Sequence, residues 1–507
     1  MNSNDDDFFY YVRDVRRGGH DQIFFASIVP KASVYAASEE KIRTSIYASA
    51  LLLLILLPLA GLCAKPIVKP ILRLREENKK VKQRRYEDVV VIPTRIKEFH
   101  ELSMSIYRVA ESLQEHEKRQ EEFVESFIQL IAQAIDDKSP YTAGHCNRVP
   151  EIALMFAHEV EQSKQGQFAD FRFKNAAERR EFRIAAWLHD CGKITTPEHI
   201  VDKGTKLEAN YNRIHEIRMR FEVLWRDAEL NYLQHVIDNP HEQEIALSTL
   251  NQAKKKLQDD YKFVANANVG GEFMSDEHIT RIHEIANKTW LRHFDDRLGL
   301  SPLEELKVPE KSQRLPVEEY LLSDKPEHRI ERIHELSFDP AFGIKMQVPE
   351  LQYNLGEIYN LTIKRGTLTA EDRFKINEHM ISTIKMLESL PFPDDLARVP
   401  RYASTHHETM KGTGYPRKLS AKDLSTPERI LVISDIFEAL TAADRPYKKA
   451  KPLSVAIDIL YKMALDEHID MALFKLFLSS GVYMQYAEKF LPEKQIDKVD
   501  INKYLSS

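Results

Sequence analysis

Seven residues spread along this sequence carry side chains that bind divalent cations, and most of them close or interrupt an apolar run. His145 follows Tyr141-Thr142-Ala143-Gly144, and His189-Asp190 closes Phe182-Arg-Ile-Ala-Ala-Trp-Leu188. His379 lies in Glu378-His379-Met380, His406 and His407 lead into Glu408, and Asp435 sits inside Arg429-Ile-Leu-Val-Ile-Ser-Asp435-Ile-Phe-Glu-Ala-Leu440. Polar groups that follow a buried run need partners to offset their desolvation, and a divalent metal is one such partner. A carboxylate with aliphatic neighbours on both sides is either capped by donors or bound to metal. Imidazoles and carboxylates without thiolates favour Mn, Fe or Zn over Mg. Any one histidine alone reads as an ordinary core or surface residue, as His100, His116 and His158 do. The ordered set, five histidines of the 19 in the chain with two aspartates, defeats that reading.

These residues need rigid elements to hold them, and the composition points to helices. Glycine is scarce, 16 in 507 residues, against an average near 7%. With 43% hydrophobic and 30% charged residues the chain can bury a core, so a wholly disordered chain is excluded. The expected class for the soluble part is all-α. Three cysteines exclude a disulfide scaffold. A net charge of −6 (72 − 78) offers no global basic field for a nucleic-acid polymer.

The order of the candidate ligands, followed by Gly412-Thr413-Gly414-Tyr415-Pro416, resembles the HD-GYP family of HD-superfamily phosphohydrolases. The likeness covers roughly residues 125–206 and 360–480. It includes His-Asp-x-Gly-Lys at His189–Lys193, Pro197-Glu198-His199-Ile200, Gly366-Thr367-Leu368-Thr369, the His-His-Glu of His406–Glu408, and Asp444-Arg445-Pro446-Tyr447-Lys448. The resemblance implies a helical domain that hydrolyses cyclic di-GMP to pGpG or GMP, using water activated between two divalent ions, Fe or Mn. It implies that His145, His189, Asp190 and Asp435 hold one ion, with Asp190 bridging to a second held by His379, His406 and His407. Lys193 would stand by the water and a phosphate oxygen, and Asp190 and Lys193 are the expected catalytic pair. Arg445 and Lys448 match phosphate-holding positions. Gly414, Tyr415 and Pro416 would shape a loop that meets substrate and recruits GGDEF-domain partners. The rival expectations are hydrolysis of another cyclic nucleotide, and a silent receptor for cyclic di-GMP or a GGDEF protein.

Four departures from the family pattern stand out. Tyr141 replaces the glutamate of three-metal members, which favours two ions, and Lys411 replaces the usual acidic residue after the histidine pair. Cys191 fills the variable position of the His-Asp motif. An insertion, 207–360, parts the two halves of the domain; it is rich in charge and in expected helix, and is read as a helical lid or subdomain beside the site. Arg-Ile-His-Glu recurs in it at Arg213–Glu216, Arg281–Glu284 and Arg332–Glu335, with unequal spacing that favours chance over a repeat. Cys146 and Cys191 adjoin expected ligands; small buried side chains are the preferred reading over a redox switch.

The N-terminal quarter is of another kind. Thr44–Ala64 is a run of 21 uncharged residues, roughly 31 Å as a helix, which matches the hydrocarbon thickness. Basic residues crowd its C-terminal flank from Lys65 to Arg85, so the positive-inside rule puts the catalytic part in the cytoplasm, on a single-pass protein of the inner membrane. The head, 1–43, reads as strand and turn and resembles the membrane-proximal end of a Cache-type sensor, with an upstream helix expected to be missing. Residues 65–118 resemble a HAMP relay: the entry Lys65-Pro66-Ile67-Val68-Lys69-Pro70-Ile71, a connector near Val89–Pro93, then Phe99, Leu102, Ile106, Val109 and Leu113 on one helical stripe suited to pairing with a second copy. Residues 119–507 form the HD-GYP part, and a homodimer is implied.

Overall fold

The computed structural model describes residues 7–16, 23–138, 144–164, 166–271, 273–308, 314–442 and 451–506. The chain divides into two compact units, Met1–Phe123 and Val124–Ser507.

In the first unit, strands rich in aromatic and β-branched residues, β1 (Phe8–Arg16) and β2 (Ile23–Pro30), pair antiparallel with Phe8 opposite Pro30. Helix α1 (Lys31–Lys82) follows and runs unbroken through Pro58, Pro66 and Pro70; its 52 residues span about 78 Å. Among the described residues it is the one helix long and apolar enough to cross a membrane, and its Leu51–Leu57 stretch is exposed along its whole length. The run Thr44–Ala64 and the basic flank that follows it are thus parts of a single helix. At its end, buried Glu77 accepts the Lys80 ammonium at 2.7 Å and the Val90 N–H at 3.0 Å. The connector between helices is tied down further by Ser103, whose hydroxyl accepts the Ile92 N–H at 2.7 Å, with Val89 and Ile92 buried. Ser103 belongs to α2 (Lys97–Lys138), whose Leu102, Val109 and Leu113 stay exposed in the single chain.

Outside the insert, 207–360, the second unit is all-α around one core. Its outer frame is α3 (His145–Gln162), α4 (Ala176–Leu188) and the single turn α5 (Glu198–Val201). After the insert come α11 (Ala370–Glu388), α12 (Val399–Ala403), α13 (Thr426–Thr441), α14 (Leu453–Leu465), α15 (Met471–Ser479), α16 (Val482–Phe490) and α17 (Asn502–Leu505). Capping boxes start the two ligand-bearing helices, Thr369 with Asp372 on α11 and Ser425 with Glu428 on α13. Phe156 and Phe182 from α3 and α4, Phe437 from α13 and Phe474, Phe477 and Tyr486 from the C-terminal helices fill the core. Phe437 meets Phe477 edge-on at 5.0 Å. α2 contributes Ile128, Ala132 and Ile135. Phe127, beside Ile128 in sequence, is 53% exposed, because it sits roughly a quarter turn off the stripe.

The insert has a core of its own, including Leu207, Ile217, Val264, Ile282, Leu321 and Leu361. Its first part is helical: α6 (Ile214–Asp238) pairs with α7 (Gln243–Val269), and α8 (Asp276–Ala286) follows. Its second part is not. Short strands β3 (Thr289–Arg292) with β4 (Val317–Tyr320), on either side of the turn α9 (Pro302–Glu305), and β5 (Arg329–Glu331) with β6 (Leu351–Asn354), form two antiparallel ribbons before α10 (Glu357–Leu361). Strands of three or four residues are too short for a two-residue alternation to stand out in sequence. The three Arg-Ile-His-Glu copies take three different structures. One enters α6, one lies within α8, and one is irregular backbone held by Arg332 on the Pro349 and Leu351 carbonyls.

Candidate metal centre

Asp190 is the pivot. It follows His189 at the end of α4, where a tight 3-10 turn (Cys191–Thr195) redirects the chain. Gly192 lets that turn press against α11: a Cβ there would lie 1.9 Å from the His379 carbonyl oxygen, and the Gly192 N–H donates to Thr383 Oγ1 at 3.0 Å. This contact brings His379 beside Asp190. Asp190 Oδ1 lies 3.4 Å from His379 Nε2 and 3.7 Å from His406 Nε2. Its other oxygen, Oδ2, lies 3.2 Å from His145 Nε2 and 3.3 Å from His189 Nε2. Asp435 Oδ1 on α13 is 3.3 Å from His145 Nε2 and 3.7 Å from His189 Nε2. Lys193 Nζ stands 2.5 Å from Asp190 Oδ2.

The imidazoles are oriented by their other nitrogens. Nδ1 of His189 faces the Ala186 carbonyl at 2.7 Å, Nδ1 of His406 faces the Ala403 carbonyl at 2.9 Å, and Nδ1 of His379 faces the Ile376 carbonyl. A proton placed on Nδ1 to satisfy a carbonyl leaves Nε2 as a bare lone pair pointing into the cluster. For His145, Nδ1 meets the fully buried carboxylate of Glu438, which Arg148 Nε also reaches at 2.6 Å. Glu438 is the residue that sequence reasoning missed. It lies one turn after Asp435 in the same apolar run, and a second acid at that spacing was the available signal.

His407 and the loop after it form one wall. The Tyr415 ring stacks on His407 at 4.7 Å, and the Tyr415 N–H donates to the His407 carbonyl at 3.1 Å. Gly414 permits this fold, since a Cβ there would lie 2.5 Å from the His407 carbonyl oxygen. After Pro416, the Arg417 N–H donates to Glu408 Oε1 at 2.7 Å. The insert grips the same loop, with the Lys345 N–H on the Pro416 carbonyl at 2.8 Å and Arg417 Nε on the Phe342 carbonyl at 2.8 Å. Lys411 pairs with exposed Asp466 at 3.1 Å. Arg445, Lys448 and Tyr141 lie outside the described residues.

The ligand atoms fall into two groups, Asp190 with His379, His406 and His407, and His145 with His189 and Asp435, each within 4.8 Å. Four buried atoms at their meeting point, His189 Nε2, Asp190 Oδ1, His379 Nε2 and His406 Nε2, have no hydrogen-bond partner. Leaving such atoms unsatisfied costs about 1–3 kcal/mol each, and divalent cations would satisfy all four. The residues therefore fit metal ions. The electrostatics agree. Burial would raise Asp190, but Lys193 and His189 beside it hold its carboxyl well below the usual range. Burial opposes charge on His189, yet Asp190 and Asp435 raise it to about 9. Burial, helped by Lys193 and His406 and opposed by Asp190, takes His379 down to about 4, in the neutral form that binds metal. Burial also pushes both adjoining thiols up, Cys191 to about 12 and Cys146 well above its usual value.

Comparison with known proteins agrees with this arrangement. The sequence profile of the HD domain matches residues 316–473, which include His379, His406, His407 and Asp435. A 3′3′-cGAMP-specific phosphodiesterase 3 of Vibrio cholerae is 37% identical over 129 residues, 25% of this chain and 27% of that protein. A 3′3′-cGAMP-specific phosphodiesterase 1 of the same organism is 27% identical over 162 residues, 31% of this chain and 36% of that protein. A cyclic di-GMP phosphodiesterase of Thermotoga maritima is 30% identical over 125 residues, 24% of this chain and 33% of that protein. The matched segments span only 27 to 36% of the length of these relatives. With its helical fold and its paired histidine–aspartate groups, the chain matches the HD domain over residues 316–473 and is similar, over a quarter to a third of its length, to cyclic-dinucleotide phosphodiesterases.

Proposed function

We propose that this protein is a membrane-anchored, metal-dependent phosphodiesterase that hydrolyses a cyclic dinucleotide, cyclic di-GMP in the first instance. The observation that carries the reading is the set of unpartnered buried nitrogens and the Asp190 oxygen converging at one point. Two divalent ions of the Fe or Mn type supply activation of water and stabilisation of the leaving oxygen when bound. The chain does the rest. Asp190 offers one oxygen to each ligand group and so fixes their separation, with His145, His189 and Asp435 on one side and His379, His406 and His407 on the other. Lys193 holds its ammonium beside Asp190 Oδ2, where it meets a phosphate oxygen and offsets the charge gained on attack. Tyr415 covers His407 and excludes water from that side. Gly414, Tyr415 and Pro416 shape the substrate-facing loop, and Arg445 and Lys448 hold phosphate.

A second reading is favoured by the relatives whose names specify 3′3′-cGAMP, and it makes that dinucleotide the substrate. For the whole chain we propose that α1 anchors the protein in the inner membrane, with 1–43 outside and the HD part, 119–507 with its insertion 207–360, in the cytoplasm. The exposed stripe of Leu102, Val109 and Leu113 supports a homodimer through the relay 65–118, and the loop at Tyr415 is the proposed meeting point for a GGDEF-domain protein. The test is turnover by the detergent-purified full chain, loaded with Mn²⁺ or Fe²⁺, on cyclic di-GMP, 3′3′-cGAMP and cyclic di-AMP. Hydrolysis of a guanine-containing cyclic dinucleotide is expected, falling to background in Asp190→Ala and His189→Ala. No turnover of any of the three by a fully metallated chain would leave a receptor and overturn the reading.

A further inference from the structure

The last turns of α2 reach the candidate metal centre at two places through polar contacts. Lys138 is the final residue of the helix. Its ammonium donates to three backbone carbonyls of the turn after the His-Asp pair: Lys193 at 3.2 Å, Ile194 at 2.6 Å and Thr196 at 2.6 Å. An ammonium has three N–H bonds, so every donor is spent on this one turn. Two residues earlier, fully buried Asp136 accepts the Cys146 N–H on both carboxylate oxygens at 3.2 Å. Gln133, one turn before that, accepts the Asn147 side-chain N–H at 3.2 Å.

These contacts reach the chemistry through one covalent step each. Cys146 is bonded to His145, whose Nε2 lies 3.2 Å from Asp190 and 3.3 Å from Asp435. Lys193, whose carbonyl Lys138 holds, carries the ammonium 2.5 Å from Asp190 Oδ2. Of the three, the Lys193 carbonyl also accepts the Thr196 N–H at 3.0 Å, and the carbonyls at the end of so short a 3-10 turn need partners from outside it. A side chain from another helix does so here, and water would satisfy them without fixing their position. The apolar contacts of Ile128, Ala132 and Ile135 hold α2 against the core, whereas Asp136 and Lys138 set where its end sits relative to the two ligand-bearing segments.

We infer that Lys138 is a positioning residue for the reaction, acting through Lys193, and that with Asp136 it forms the joint by which α2 sets the geometry of the metal centre. The inference rests on the proposed hydrolysis, in which Lys193 meets the phosphate. A misplacement of about 1 Å at a reacting group costs on the order of a hundredfold in rate. Loss of the three bonds therefore lowers kcat without removing any ligand. A lysine-to-arginine change keeps the charge and several donors and recovers part of the loss.

The experiment compares the full chain with its Lys138→Met, Lys138→Arg and Asp136→Asn variants. It reads three quantities: bound Mn²⁺ per chain, amide hydrogen exchange over 145–148 and 189–197, and kcat and KM on cyclic di-GMP and 3′3′-cGAMP. In Lys138→Met we expect exchange over 191–197 to rise about tenfold, metal content to match the parent, kcat to fall about tenfold or more and KM to stay within twofold. Lys138→Arg should recover at least a third of parental kcat, and Asp136→Asn should raise exchange at 145–148 instead. Parental exchange and kcat in Lys138→Met would overturn the inference. So would loss of metal together with activity, which marks a scaffold contact and not a positioning one. If the parent hydrolyses neither dinucleotide, the functional reading fails, and the exchange and metal data still decide the joint.

Discussion

A histidine in a helix becomes a metal ligand through what its second nitrogen does. His189, His379 and His406 each turn Nδ1 to the carbonyl three residues back, so the helix backbone itself selects the tautomer that bares Nε2. His145 has no preceding turn to use, being the first residue of α3, and takes Glu438 from α13 in its place. Glu438 could not be recognised as its partner from local pattern, because 293 residues separate the two. The two cysteines beside ligands are of a different kind. Both are buried, and burial raises both thiols, Cys191 to about 12. A raised thiol pKa means the neutral, unreactive form at pH 8, with on the order of one thiolate in ten thousand for Cys191. Iodoacetamide at pH 8 should therefore leave Cys146 and Cys191 unmodified in the folded full chain and label both after unfolding, as read by peptide mass spectrometry. Labelling of Cys191 in the folded protein would revive a redox role for it.

At the scale of elements, the site depends on one close approach. The 3-10 turn after Asp190 lies against α11 only because position 192 has no side chain, and the obstructing atom would be backbone. Gly192→Ala should cost about 1–3 kcal/mol in denaturant unfolding and loosen metal binding, since the turn must back away from His379. Unfolding and metal content equal to the parent's would show that the turn has slack. Much of this was legible beforehand. The apolar runs ending in His189-Asp190 and enclosing Asp435 announced α4 and α13, and helical class followed from the scarcity of glycine. What was not legible depended on contacts distant in sequence. The bulky apolar side chain of Phe127 lies off the stripe that Ile128, Ala132 and Ile135 define, and only the packed core shows which of the four is left out. The ribbons β3–β4 and β5–β6 are too short to show alternation, and each rests on pairing between segments distant in sequence, Thr289 with Tyr320 and Arg329 with Asn354.

At the scale of the whole molecule, a mildly acidic chain would have to gather its attraction for the proposed anionic phosphodiester into one spot. The net charge of −6 offers no field to draw such a substrate in. That attraction would come from the Lys193 ammonium and from the cations that Asp190, Asp435 and the histidines would hold, since the carboxylates themselves repel an anion. The insert parts the two halves of the ligand set in sequence, yet its Phe342–Lys345 stretch holds the Tyr415 loop, so an independent core is also a brace for the site. The central claim is that seven residues from both sides of that insert form a centre for two cations. Its most direct test is the metal content of the full chain, purified anaerobically and measured by inductively coupled plasma mass spectrometry after saturation with Mn²⁺ and removal of free metal. Two ions per chain are predicted, with both lost or sharply weakened in Asp190→Ala. One ion or none in a folded chain, or a content unchanged by Asp190→Ala, would contradict the account.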